Sequence, residues 1–144
     1  AYTIPRGAAG SLEKENAKFR SYYPFSERLP LTSWTKPSVA MCNETSYSNA
    51  EIFSHAYKTL DIGTLVGKPT FGAVISTGGF RLMDDSFVRM PFRAWYVKAT
   101  GENMEHGPAV PDVIVDNAPD SKAKGEDPQL RKAVDVLLGQ IDGK

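Results

Sequence analysis

The apolar positions change period along the chain, and the changes mark its elements. After residue 48 they fall at Ile52, Phe53, Ala56, Tyr57 and Leu60, in steps of three and four, which predicts an amphipathic helix. A second such stripe runs through Leu130, Val134, Leu137, Leu138 and Ile141, with Asp127 as N-cap and Pro128 in the first turn. Between them the runs are short. Residues 38–42 are nearly all apolar and predict a strand covered on both faces. Residues 64–66 predict a further strand. Residues 73–76, 80–83, 87–90 and 94–98 are rich in Val, Ile, Phe, Trp and Tyr. Gly78-Gly79 and Asp84-Asp85 split them, so they read as short strands in hairpins. Residues 113–115 predict one more strand, and the polar residues 118–126 a loop.

The start of the chain is less regular. Pro5, Gly7 and Gly10 predict an irregular segment over residues 1–10. Ser11 can cap a short helix over residues 12–20. Residues 21–37 form a long loop with three prolines and the aromatics Tyr22, Tyr23, Phe25 and Trp34. The pattern therefore divides the chain into a lead-in, residues 1–37, and a mixed α/β unit, residues 38–144.

Composition narrows the partners. The chain has 144 residues and a formal net charge of +0, which gives no electrostatic reason to bind nucleic acid or an anionic membrane. No apolar run approaches the roughly 18 residues of a membrane span. The chain opens Ala-Tyr, which reads as a piece of a longer polypeptide. Its single cysteine, Cys42, excludes an internal disulfide and, at a strand end, reads as a buried inert thiol. Two histidines, His55 and His106, have no metal-ligand spacing, so neither a metal nor another cofactor is expected. Gly67-Lys68-Pro69 fails as a phosphate loop, because Pro69 stands where Ser or Thr is needed.

Candidate chemistry gathers at the first helix start. Strand 38–42, a polar turn and the helix after Ser48 form a strand–turn–helix. A serine at such a junction can expose its hydroxyl as a nucleophile, with the next N–H, that of Asn49, steadying an oxyanion. The same letters also spell a capping box, Ser48 at N-cap and Glu51 at N3, which is a purely structural role.

Further along, the run Ser46-Tyr47-Ser48-Asn49-Ala50-Glu51-Ile52 resembles the S-A-S-A-S-E-I segment of the tail-specific (C-terminal processing) peptidases, and is similar to the nucleophile segment of tricorn-type peptidases. Leu65-Val66-Gly67-Lys68-Pro69-Thr70-Phe71-Gly72 resembles their L-V-G-x-x-T-F-G. Glu105 followed by Pro111-Asp112-Val113-Ile114-Val115 resembles E…P-D-I-V-V, and Asp127-Pro128-Gln129-Leu130 resembles D-x-Q-L. The matches keep their order over residues 38–142.

That resemblance implies an α/β fold related to the ClpP and crotonase group. It also implies serine-type peptide hydrolysis through an acyl-enzyme on Ser48. Glu105 would support the base, and the substrate would be a peptide or unstructured protein. Two departures matter. The lysine of the Ser–Lys branch follows T-F-G, where this chain has Ala73; Lys68 lies five residues before that place. The tricorn-type histidine lies upstream of the nucleophile, and no histidine precedes Ser48 here. The chain thus resembles the nucleophile part of such an enzyme, with the base in a missing N-terminal half, and is expected to be inactive alone. His106, next to Glu105, and His55, on the first helix, are the substitute bases to weigh. An apolar face left by the missing half would favour homo-oligomers. The alternative is a non-catalytic peptide-binding or assembly module of the same fold.

Overall fold

Two three-stranded sheets organise the protein in a computed structural model that describes residues 2–5, 34 and 36–143. The first sheet is parallel, in the order β2 (Val39–Cys42), β3 (Thr64–Gly67), β6 (Val113–Ile114). The second is antiparallel, in the order β1 (Tyr2–Pro5), β5 (Phe87–Tyr96), β4 (Ile75–Arg81). Helix α1 (Asn49–Thr59) makes the crossover that a parallel β2–β3 pair requires. A 3-10 turn (Lys122–Lys124) precedes helix α2 (Pro128–Asp142), which packs on β2 and β3.

Strand β3 lies at the centre of its sheet, and Leu65 and Val66 are fully buried there. Gly67 ends it at φ 132°, where a Cβ would collide with the Cys42 carbonyl opposite, so only glycine permits this pairing. A second core lies between α1 and the end of the antiparallel sheet: Val74, Val97 and Met104, with Ile52 of α1 and Trp95 of β5 packed against it.

Several expectations change. Tyr2–Pro5 is not irregular; it pairs antiparallel with β5, from Tyr2 opposite Tyr96 to Pro5 opposite Arg93. The expected helix over residues 12–20 and most of the 21–37 loop lie outside the described residues. Gly78-Gly79 does not split a strand but sits inside β4. The Phe87 ring lies over Gly79 and fills the space of its missing side chain. Pro91, without an N–H, is accommodated within β5 at a bulge: Ser76 faces Arg93 and Thr77 faces Pro91, leaving Phe92 extra. Four expected short strands thus become two long ones. Met41 of β2 is exposed, so that strand is not covered on both faces.

The helices also turn unexpected faces inward. In α1 the buried residues are Glu51, Ser54 and Tyr57, while Phe53 and the C-cap residue Leu60 are exposed. Each buried polar group there is hydrogen-bonded: Ser54 Oγ donates to the Ala50 carbonyl at 2.8 Å, and the Tyr57 and Ser38 hydroxyls meet at 2.8 Å. In α2, Gln129 and Ala133 are buried, and the ridge Leu130, Val134, Leu138, Ile141 is exposed. Its N-terminus follows the sequence: Asp127 accepts the Leu130 N–H at 2.9 Å, and Pro128 opens the helix.

Candidate active site

The turn between β2 and α1 is closed by its own polar residues. Asn43 Oδ1 accepts the Thr45 N–H at 3.0 Å, and the Ser46 N–H returns to the Asn43 carbonyl at 2.9 Å. The chain then reaches Ser48 at φ 56°, ψ −117°. This is the first central position of a type II′ turn, where glycine is the usual occupant. A non-glycine residue there costs about 1–3 kcal/mol. Such strain persists only where neighbours over-determine the backbone.

Glu51 is the chief neighbour. Its side chain is fully buried, and its carboxylate accepts four hydrogen bonds. Oε1 takes the Thr70 hydroxyl at 2.6 Å and the Gly72 N–H at 2.5 Å. Oε2 takes the Ala73 N–H at 2.7 Å and the Ser48 N–H at 3.3 Å. The Ser48 N–H also donates to the Ala73 carbonyl at 3.1 Å. Thr70 relays the restraint outward, for its hydroxyl oxygen accepts the Ala109 N–H at 2.8 Å. Burying a carboxylate is tolerable only with donors of this number and quality.

Ser48 and Glu51 keep the positions of a capping box, but only one arm closes well. Glu51 reaches back to the Ser48 N–H, whereas the Glu51 N–H goes to the Ser48 carbonyl at 3.0 Å. The Ser48 hydroxyl faces the Glu51 N–H as a capping box requires, but the contact is too loose for a cap hydrogen bond. Ser48 is half-buried and lines a groove of about 270 Å³ with Asn49, Ile52, Ser76, Arg89 and Trp95. Among the described residues the Asn49 N–H, at the head of α1, also has no hydrogen-bond acceptor.

Glu105 sits in the loop that follows β5. The loop is tied to the same segment as Ser48: the His106 N–H donates to the Gly72 carbonyl at 2.8 Å. Asn103 Oδ1 holds the Glu105 N–H at 2.9 Å. Glu105 Oε2 is buried without a hydrogen-bond partner among the described residues. His106 adopts φ 61° and is exposed, its backbone rather than its ring being engaged with the site. His55 Nε2 lies 3.0 Å from the Gly107 carbonyl, so its imidazole braces the Glu105 loop. Ala73, at the place of the Ser–Lys branch's lysine, is in backbone contact with Ser48 and offers no amine.

Other motif residues are structural. Asp112 ties β3 to α1: Oδ2 accepts the Leu65 N–H at 2.9 Å, and Oδ1 pairs with Lys58 at 3.1 Å. Burial opposes its ionisation, but the Leu65 N–H and the Lys58 ammonium outweigh it and hold the carboxyl below the usual range. Lys68 pairs with Asp116 and Glu44, both at the surface. Burial raises the Cys42 thiol above its ordinary pKa, and its Sγ donates to the Lys68 carbonyl at 3.2 Å. Among the described residues no three metal-ligating side chains converge.

Sequence reasoning missed the Glu51 cradle. Glu51 reads as an N3 cap, and Thr70 and Gly72 read as parts of a motif without a stated task. One signal was available: a T-x-G run that donates from hydroxyl and backbone, matched to an acidic residue one turn into a helix.

Residues 4–115 match peptidase family S41. The chain belongs to this family. The tricorn protease of Thermoplasma volcanium is 32% identical over 117 residues, covering 81% of this chain and 11% of that protein. Tricorn protease homolog 1 of Streptomyces coelicolor is 36% identical over 107 residues, covering 74% and 10%. The chain therefore spans about a tenth of the length of these S41 relatives. The crystal structure of the tricorn protease superposes with a TM-score of 0.64 at 29% identity, over 74% of this chain and 10% of that one. Mature CPAF superposes at 0.70 with 21% identity, over 81% and 23%, a likeness of fold. The expected tricorn-like and tail-specific serine peptidase lineage is thus established, as is the mixed α/β architecture.

Proposed function

We propose that this chain is the nucleophile-bearing part of a tricorn-like serine peptidase, with Ser48 as the residue acylated by a peptide substrate. The observation that carries this is the backbone of Ser48. It is held at φ 56°, ψ −117° at a helix start, with its hydroxyl in only a loose capping-box contact and no cap hydrogen bond. A residue needed only as a cap has no use for that conformation; a nucleophile on a sharp strand-to-helix turn does.

In the proposed reaction Ser48 Oγ attacks the scissile carbonyl carbon while a base takes its proton. The N–H of Asn49 stabilises the oxyanion. The C–N bond then breaks, the amine leaves with the proton, and water hydrolyses the ester to release the acid. The base in this proposal is a histidine of a longer polypeptide, since the two histidines here are turned elsewhere, His55 to the Gly107 carbonyl and His106 to solvent. Glu105 supports that histidine through an intervening hydroxyl, and its buried, unpartnered Oε2 is suited to accept from such a group. The relation of the fold to the ClpP and crotonase group belongs to the same proposal. So do homo-oligomers, for which the exposed apolar residues of α2 and of the β4–β5 hairpin offer surfaces.

A second reading, a non-catalytic peptide-binding module, is favoured by one observation: the His55 ring is committed to Gly107. A fluorophosphonate probe separates the two. An adduct on Ser48 in the full polypeptide, located by mass spectrometry, is expected. A folded full polypeptide that never labels at Ser48 would leave the binding module as the better reading.

A further inference from the structure

We infer that Arg89 is a specificity-determining residue that recognises a carboxylate on the peptide lying in the groove at Ser48. The inference rests on the peptidase reading of that groove and names the chemistry it selects.

The groove begins at Ser48 and Asn49 and runs along β4 to Arg89 and Trp95, which stand on β5. Both of these side chains are tied to hydroxyls of β4. Arg89 Nε donates to Thr77 Oγ1 at 2.9 Å, and Trp95 Nε1 donates to Ser76 Oγ at 2.7 Å. The indole is thus fixed as a wall. Arg89 is exposed, and its bond through Nε leaves the donors of its two terminal nitrogens without an acceptor among the described residues. Arg89 forms no ion pair with a carboxylate of the described residues. Among the described residues no acidic side chain lines the groove, and Glu51, which lies behind Ser48, is spent on its four donors. The groove therefore carries one unneutralised, partly immobilised cation beside the positive end of α1.

A guanidinium held at Nε presents a planar fork that fits a carboxylate bidentately, and fixing it in advance lowers the entropy lost on binding. Strand β4 has β5 on one side and no described strand on the other, so an extended peptide has an edge to follow. The carboxylate it presents to Arg89 can be an Asp or Glu side chain near the scissile bond, or a free C-terminus.

Four fluorescent peptide sets distinguish these sources. Glu or Gln is scanned through the positions around a central bond, each with a free or an amidated C-terminus. Binding is measured by anisotropy to the full polypeptide carrying Ser48→Ala, which prevents turnover. At least one carboxylate-bearing set should bind about 10-fold tighter than the set with neither carboxylate. Arg89→Gln should reduce it to the neutral level and Arg89→Lys should keep part of the preference, with the melting temperature unchanged in both. If Glu carries the effect the side chain is read; if only the free end does, the terminus is read. Equal affinity for all four sets, a preference that survives Arg89→Gln, or no peptide binding at all would overturn the inference. Fluorophosphonate labelling of the otherwise wild-type protein reports separately on Ser48, so an unlabelled serine with an intact carboxylate preference would sink the peptidase reading and not this one.

Discussion

The Thr70 hydroxyl donates to the buried carboxylate of Glu51 at 2.6 Å, and that bond links the motif that carries the candidate nucleophile to the Thr70-Phe71-Gly72 run. Through Glu51, the helix that carries Ser48 is fastened to Gly72 and Ala73. Glu51→Gln should therefore be costly despite its small change in shape. An amide offers one acceptor oxygen, and its NH₂ would face the backbone N–H groups. Loss of charged hydrogen bonds in a buried site predicts a destabilisation of about 2 kcal/mol or more, read from urea melts. A loss well under 1 kcal/mol would mean that Glu51 is an ordinary cap residue.

Ser48→Gly should raise stability. Glycine adopts φ 56°, ψ −117° without strain, and the serine hydroxyl has only a loose capping-box contact to lose. A gain of about 1 kcal/mol is expected, smaller than the strain itself because glycine frees the unfolded chain. A clear loss of stability would contradict the strained backbone.

Asp112 and Asp127 make stability fall in acid. Both carboxyls lie below their ordinary range: Asp112 because the Leu65 N–H and Lys58 outweigh its burial, Asp127 because it accepts the Leu130 N–H and the amide of Asn117. A carboxyl whose folded pKa is depressed contributes stability that is present above its unfolded pKa. That stability is lost as pH falls through the folded one. Melting temperature should thus be flat near neutrality and drop below the usual carboxylate range. Asp112→Asn should be less stable at neutral pH and show a shallower acid drop. An unchanged slope would assign the effect elsewhere.

Much of the topology was legible in the chain because it is local. The N-cap of α2 is Asp127 followed by Pro128, and the strand–turn–helix at Ser48 is continuous in sequence. The strands of the hairpin were harder. Gly78-Gly79 is ordinarily a break, and only the Phe87 ring across the ladder keeps it inside a strand. The buried faces of the helices were misread for a related reason. Glu51, Ser54 and Tyr57 are buried through hydrogen bonds to partners on other elements or one turn back, which a hydrophobic pattern does not register. Arg89 reaches the Ser48 groove from a strand 41 positions along, through a hairpin pairing that single-residue patterns do not encode.

The measurement closest to the central claim compares stability with rate for Ser48→Ala in the full polypeptide. If Ser48 is a strained nucleophile, urea melts should show a change of no more than about 0.5 kcal/mol, since only a loose capping-box contact is lost, and Ser48→Asp should restore nothing. Peptidase activity should fall by about a thousandfold or more, as when a nucleophile is removed from a concerted catalytic set. A stability loss near 1 kcal/mol that Asp recovers, with peptidase activity intact in Ser48→Ala, would show that Ser48 is a helix cap and not the nucleophile.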